Sequence, residues 1–118
     1  MKNEKSLKIY EEATKYIPGG VNSPVRAFKS VGLDPIFIER AHGSRIYDVD
    51  GNEYIDYICS WGPLMLGHSP KEIVEGIEEV VYRGTSYGVP TAIEVEMAKL
   101  VVEAYHAIDQ VRMVNSGT

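Results

Sequence analysis

The sequence predicts an α/β fold in which one helix and a small antiparallel meander precede the start of a larger α/β domain. Three patterns support this prediction. An amphipathic helical stripe opens the chain, alternating β-forming residues follow it, and two well-delimited helices then lead to a β-rich end. This order is typical of an α/β domain whose sheet has only begun.

A first helix is predicted over residues 4–17, because apolar side chains recur there at helical spacing. This face comprises Leu7, Tyr10, Ala13 and Ile17. A proline and two glycines at 18–20 end the helix. The next segment, "VNSPVRAF" at 21–28, is expected to be irregular, with Pro24 holding Ser23 extended.

A meander of three short antiparallel strands is predicted near residues 35–40, 44–48 and 53–57, with glycine turns between them. The second turn, "DVDGN", also suggests a calcium loop. Its glycine comes one position too early, however, and Cys59 stands where the closing glutamate belongs. A hairpin turn is therefore the better interpretation.

Two further helices are predicted from their capping signals. In "SPKE", Ser69 is the expected N-cap, Pro70 the first helical residue and Glu72 the end of a capping box. The apolar stripe that follows comprises Ile73, Val74, Ile77, Val80 and Val81, with Gly84 at the C-terminal end. "TAIE" at 91–94 repeats the capping pattern and opens a helix to about residue 106.

The chain ends on a predicted strand at 111–114 and a polar turn, "NSGT", at 115–118. Small hydroxyl residues around a glycine after a strand favour anion binding by backbone N–H groups. The strand has no partner strand to pair with, and the turn lacks the following helix whose dipole would assist it. We therefore expect an N-terminal fragment of a longer chain.

The net charge and the amino-acid composition argue against several classes of function. A net charge of −5 without a Lys/Arg cluster argues against a nucleic-acid partner, and no apolar run is long enough to span a bilayer. A single cysteine excludes an internal disulfide and fits a reducing cytoplasm. Cys59 is interpreted as a small buried residue rather than a catalytic thiol. The histidines show no metal-ligand spacing, and His68 is expected to make a local hydrogen bond or to orient a ligand.

Two loops carry candidate site residues. Ser23 and Arg26 place a hydroxyl and a guanidinium three residues apart, and the planar guanidinium suits a substrate carboxylate. A solvated surface arginine is the alternative. Trp61 lies in the glycine-rich loop "CSWGPLMLGH", where it is either a core plug or an aromatic wall for a small ligand.

The motifs together resemble the glutamate-1-semialdehyde aminomutase branch of the class III aminotransferases, which are fold-type I pyridoxal-phosphate proteins. The matching stretches are "PGGVNSPVRAF", "DVDGNEYIDY", "WGP", "LGH", "GTSYG" and "VNSGT". The first is the most discriminating, because it is similar to the substrate loop of the aminomutases. The resemblance covers essentially the whole chain.

The resemblance implies a cofactor, a reaction and site residues. Ser23, Arg26 and Trp61 match substrate-binding positions, while Ser116, Gly117 and Thr118 match the start of the loop that holds the phosphate of pyridoxal 5'-phosphate. The implied reaction is intramolecular amino transfer from glutamate-1-semialdehyde to 5-aminolevulinate, a tetrapyrrole (porphyrin) precursor, in a cytoplasmic homodimer. Residues 1–57 would form part of the small domain, and residues 58–118 the start of the large cofactor-binding domain.

The resemblance also implies which parts are missing. The family's Schiff-base lysine and the acid that pairs with the pyridine nitrogen lie downstream of the "SGT" turn, so no catalytic residue is assigned here. The 118 residues alone are therefore expected to be inactive and poorly folded. No metal is expected, because the histidines and the cysteine lack metal-ligand spacing. The lysines at 29, 71 and 99 do not have the expected context. Two alternatives stay open: another class III aminotransferase acting on an amino or ω-amino acid, and a non-catalytic relative of the fold.

Overall fold

The computed structural model describes residues 2–116. The chain divides into two compact units, the first ending at Gly76 and the second beginning at Ile77. The domain boundary expected between residues 57 and 58 stays a prediction. The first unit holds the elements that position the candidate site.

Helix α1 spans Glu4–Ala13 and is shorter than the predicted 4–17. The chain continues in turns, in which the Ile17 N–H still donates to the Ala13 carbonyl at 2.8 Å. The four residues of the predicted apolar face are half-buried, which confirms the face. A 3₁₀ turn at Pro18–Gly20 then redirects the chain.

The predicted meander is confirmed, with strands β1 (Ile38–His42), β2 (Arg45–Asp48) and β3 (Glu53–Ile55) in that order. Both pairings are antiparallel, and a bulge interrupts the first one. The glycine turns have the left-handed backbone that a side chain disfavours, with φ of 54° at Gly43 and 84° at Gly51. The meander is therefore built from local hairpins.

Helix α2 spans Lys71–Val81, but the capping box predicted for it is wrong. Ser69 has φ of 50° instead of the extended backbone of an N-cap. The Pro70 carbonyl accepts the first helical bonds, from the N–H groups of Ile73 and Val74 at 3.1 and 3.0 Å. Pro70 thus precedes the helix and does not occupy its first position.

Helix α3 spans Ala92–Ala104, and its predicted capping box is confirmed. The Thr91 N–H donates to the Glu94 carboxylate at 2.6 Å, and the Thr91 hydroxyl donates to the same oxygen at 3.0 Å. The bonds from the Thr91 backbone and hydroxyl hold the pKa of Glu94 below its usual value.

The strand predicted at 111–114 is wrong for the described chain. These residues have no strand assignment, and no pairing joins them to another described segment. A strand is stabilised by hydrogen bonds to a neighbouring strand, and the described residues supply none here.

Few side chains are buried in the described part of the chain. The residues in that class are Ser6, Gly20, Ala27, Pro35 and Asp48, all in the first unit. The apolar stripe of α2 is exposed along its length, with exposed fractions from 38% at Val74 to 58% at Ile77. The α2 stripe is amphipathic as predicted, but the described residues do not cover it.

Candidate functional site

The Ser23–Arg26 loop is folded as a single 3₁₀ turn. Ser23 is extended, with φ of −146°, as its position before proline predicts, and the turn itself spans Pro24–Ala27. The Arg26 N–H donates to the Ser23 carbonyl at 2.9 Å. Ala27, only 5% exposed, anchors the end of the turn. The two predicted side chains are thus held on one turn.

Arg26 is exposed at the end of this turn. Among residues 2–116 its guanidinium has no hydrogen bond and no ion pair with a carboxylate. An arginine without an internal partner retains all five N–H donors for a ligand, and its planar fork fits a carboxylate with two parallel bonds. The turn can therefore bind an anionic group.

Tight packing against α1 precedes the turn. Gly20 is buried, with φ of 74°, and a Cβ at this position would lie 2.5 Å from the Tyr10 Cε2 atom. The Tyr10 hydroxyl also donates to the Gly19 carbonyl at 3.4 Å. Glycine is therefore favoured at residue 20, because a side chain there would have positive φ and would displace the Tyr10 ring.

Helix α1 is itself held by the β2–β3 turn. Asn3 makes no side-chain cap, and the carboxylate of Asp50 takes that role from a distant part of the sequence. It accepts the N–H groups of Lys5 and Ser6 at 2.7 and 2.9 Å and the Ser6 hydroxyl at 2.7 Å. A negative charge at a helix N-terminus is favoured by the helix dipole.

Asp48, which is 1% exposed, stabilises this turn through hydrogen bonds. Its carboxylate accepts the Asn52 N–H and the Asn52 side-chain amide, both at 2.7 Å, and the Tyr54 hydroxyl at 2.8 Å. Burial alone would raise the pKa of Asp48, but these bonds outweigh it and hold the pKa below 3.8. Burial and the Asp48 charge raise the pKa of Tyr54 to about 12.

Trp61 lies at the end of a left-handed turn. Cys59, Ser60 and Trp61 have φ of 50°, 50° and 65°, and the Trp61 N–H donates to the Ile58 carbonyl at 3.0 Å. Left-handed backbone costs a residue with a side chain about 1 kcal/mol, so three in succession store strain. Trp61 is 66% exposed as a residue, so it is not a core plug within the described residues.

Asp56 holds this turn through hydrogen bonds, and His68 binds Asp56. The Asp56 Oδ1 accepts the N–H groups of Ile58 and Cys59 at 2.8 and 3.1 Å, and the Oδ2 lies 2.7 Å from the His68 Nε2. The bond to His68 is the main reason why the pKa of Asp56 lies below its usual value. His68 therefore makes a hydrogen bond as expected, although its partner lies twelve positions away in the sequence.

Asp56 was not identifiable as a site residue from its spacing alone, although a weak signal was present. An aspartate that accepts the N–H two residues onward forms an Asx turn, which is common before irregular loops. His68 lies twelve positions away, and only the fold brings it to the carboxylate. Cys59 is half-buried rather than buried, and its thiol faces the Asp56 carbonyl at 3.8 Å.

The phosphate-loop residues are described only in part. Asn115 and Ser116 form a bend, while Gly117 and Thr118 lie outside the described residues. Ser23 and Arg26 share one turn, and no hydrogen bond joins that turn to Trp61 within residues 2–116.

The described residues hold neither a metal cluster nor a membrane-spanning helix. No group of three or more His, Cys, Asp or Glu side chains is arranged there to hold a metal ion. None of the described helices has the length and apolar character needed to cross a bilayer.

Comparisons with known proteins agree with the motifs. A family model described as aminotransferase class-III matches residues 28–118. The glutamate-1-semialdehyde 2,1-aminomutase of Clostridium novyi (strain NT) is 74% identical over 118 residues, which is 100% of this chain and 27% of that protein. The protein of the same name from Persephonella marina (strain DSM 14350 / EX-H1) is 62% identical over 100% of this chain and 28% of its own length.

A solved structure described as a transaminase with PLP bound superimposes with a TM-score of 0.89 and 37% identity, over 99% of this chain and 27% of the other. This match confirms the predicted start of a transaminase α/β fold. The chain spans about a quarter of the length of these relatives. Since the family model matches most of the sequence, the chain belongs to the class III aminotransferase family.

Proposed function

We propose that this chain carries the substrate loop of a pyridoxal-phosphate-dependent aminomutase. The reaction converts glutamate-1-semialdehyde to 5-aminolevulinate by moving an amino group between adjacent carbons of one molecule, as a step of tetrapyrrole biosynthesis. The relatives named aminomutase support the reaction, since they are 74% and 62% identical over the whole chain. The enzyme works as a cytoplasmic homodimer in this proposal.

The observation that carries the proposal is the Ser23–Arg26 turn. The substrate is an amino acid with a free carboxylate, and Arg26 is an exposed guanidinium without an internal partner in the described chain. Ser23 adds a hydroxyl donor at the start of the same turn. The indole of Trp61, mostly exposed, closes the aromatic side of the substrate pocket in this proposal.

The cofactor assignment is supported by the class III aminotransferase model and by the similar transaminase with PLP bound, and the bend at Asn115 and Ser116 agrees with it. The Ser116 hydroxyl, with the following Gly117 and Thr118, fits the phosphate of pyridoxal 5'-phosphate in this proposal. When bound, the cofactor supplies the electron sink that lets the amino group be exchanged. In this proposal Ser23, Arg26 and Trp61 bind and orient the substrate.

The test is an assay of the complete gene product with glutamate-1-semialdehyde and no added amino donor or oxo acceptor. Turnover under these conditions supports the aminomutase. Dependence on a second substrate would instead indicate an ordinary class III aminotransferase. Absence of any turnover in a protein that binds pyridoxal phosphate would contradict both enzymatic functions.

The role of Arg26 is tested by Arg26→Lys, which keeps the charge but loses the bidentate fork. We expect the kcat/KM for glutamate-1-semialdehyde to fall by about 10- to 100-fold, mainly through KM. Arg45→Lys is the matched control, because the Arg45 guanidinium is already paired with Glu53 at 2.9 Å. An equal effect of both substitutions would contradict the role of Arg26.

A further inference from the structure

We propose that the Asp56–His68 pair is a positioning device for Trp61: it holds the turn at Cys59–Trp61 in its left-handed conformation and so fixes the indole in the substrate pocket. This inference rests on the proposed function for the pocket itself. The positioning of the indole rests on geometry alone and can be measured separately.

The turn must be stabilised by contacts with residues outside it, because its backbone conformation is unfavourable. Three successive residues that carry side chains have positive φ, and all of them would relax to negative φ in a free loop. Strained backbone persists only where the surrounding structure determines it more strongly than the local preference does. The contacts at the start of the turn are therefore the ones that fix where Trp61 lies.

Those contacts converge on the Asp56 carboxylate. One oxygen accepts two consecutive N–H groups, from Ile58 and Cys59, and so sets the direction in which the chain enters the turn. The other oxygen is bound to the His68 ring at 2.7 Å. Both oxygens of the Asp56 carboxylate are thus hydrogen-bonded, and the carboxylate cannot rotate without breaking its bonds to the turn.

His68 is itself fixed through its backbone. Its N–H donates to the Gly43 carbonyl at 2.8 Å, and its carbonyl accepts the Gly43 N–H at 2.9 Å. The His68 ring is 19% exposed and the Asp56 side chain 9%, so solvent competes weakly for this bond. A continuous set of hydrogen bonds therefore runs from the β1–β2 turn through His68 and Asp56 to the turn that bears Trp61.

The experiment is a double-mutant cycle in the complete gene product. Asp56→Asn and His68→Gln are each made in the parent and in a Trp61→Ala background. If the pair acts through the indole, we expect either substitution to lower kcat/KM about tenfold in the parent, mainly through KM. In the Trp61→Ala background, the same substitution should lower kcat/KM less than about twofold. Equal losses in the two backgrounds would show a merely structural role and overturn the proposal.

A second readout does not depend on activity. The protein is labelled with 5-fluorotryptophan, and the ¹⁹F resonance of residue 61 is assigned by its loss in Trp61→Phe. We expect Asp56→Asn and His68→Gln to shift or broaden this resonance, since the ring is no longer held in one position. An unchanged resonance in both variants would overturn the proposal.

Controls separate the possible failures. Glu53→Gln removes the exposed ion pair with Arg45 and should leave both readouts unchanged. If Asp56→Asn does not fold, His68→Gln carries the test, because it leaves the bonds from Ile58 and Cys59 to Asp56 in place. If no protein turns over glutamate-1-semialdehyde, the proposed function fails and the ¹⁹F spectra alone decide the positioning role.

Discussion

At the scale of single residues, acidic side chains of the β2–β3 turn connect the meander to α1. Asp50 bonds to Lys5, which lies 45 positions earlier, and Asp48 holds the turn that carries Asp50. Both carboxylates have a lowered pKa, because their hydrogen bonds outweigh the effect of burial. Their charged forms therefore stabilise the folded unit.

This predicts an acid-sensitive contribution to stability. The folded pKa of Asp48 lies below the unfolded value of 3.8, so its stabilisation is complete above that pH and is lost as the pH falls through the folded pKa. Asp48→Asn lacks this charge, and we expect it to be less stable by about 2 kcal/mol near pH 6. The difference between parent and variant in thermal unfolding midpoint should shrink below pH 4. A difference independent of pH would contradict the linkage.

A second prediction concerns the two adjacent glycines after α1. A Cβ at Gly20 would meet the Tyr10 ring at 2.5 Å, whereas nothing lies within 4 Å of a Cβ at Gly19. Both residues have positive φ, so Gly19→Ala should cost about 1 kcal/mol from backbone strain alone. We expect Gly20→Ala to cost at least about twice as much and to raise KM, because the clash displaces the Ser23–Arg26 turn. Thermal unfolding and steady-state kinetics measure the two effects, and equal costs would argue against the packing.

The two capping motifs show what sequence can and cannot predict at this scale. "TAIE" forms its box because Thr91 is free to be extended, with φ of −124°. "SPKE" has equivalent residues, but Ser69 follows His68, whose backbone is paired with Gly43, and it takes a positive φ. The cap that Asp50 forms on α1 could not be predicted from the sequence either, because Asp50 and the start of α1 are far apart along the chain. Tertiary contacts decide these cases.

At the scale of elements, the Gly43–His68 bridge ties the β1–β2 turn to the loop that bears Trp61. The bridge requires close approach of two backbones, because a Cβ at Gly67 would lie 2.8 Å from the Gly43 carbonyl oxygen. The meander itself was predictable from its alternating residues and glycine turns. The bridge was not, because it pairs residues 25 positions apart across irregular structure.

The bridge gives a prediction with a matched control. Gly67 and Gly43 have φ of 78° and 54°, but nothing lies within 4 Å of a Cβ at Gly43. Gly43→Ala should therefore show the backbone cost alone, about 1 kcal/mol. Gly67→Ala should in addition separate the two backbones and speed amide exchange at His68 by at least about tenfold relative to Gly43→Ala. Hydrogen-exchange mass spectrometry of the complete gene product measures this, and similar exchange in both variants would exclude the close approach.

At the scale of the whole molecule, many large apolar side chains of the described residues are exposed. The stripe of α2 is one example, and Ile77 within it is 58% exposed. The amphipathic pattern of the sequence predicted this stripe, but a pattern does not say what covers it.

The corresponding prediction concerns the 118 residues expressed alone. Because the apolar stripe of α2 is uncovered in this chain, we expect strong binding of the dye ANS and gradual, non-cooperative thermal unfolding. The complete gene product is the control and should bind little dye. A sharp two-state transition of the isolated chain would contradict this expectation.

The cap that Asp50 places on α1 also bears on the order in which the chain folds. A helix of ten residues without its own cap is marginal in water, so α1 gains its N-terminal hydrogen bonds only once the β2–β3 hairpin exists. The hairpin closes over a few residues, whereas the cap closes a loop of 45. We therefore expect the amide groups of α1 to become protected after those of the meander during refolding, although α1 is synthesised first, and pulsed hydrogen exchange would measure this order.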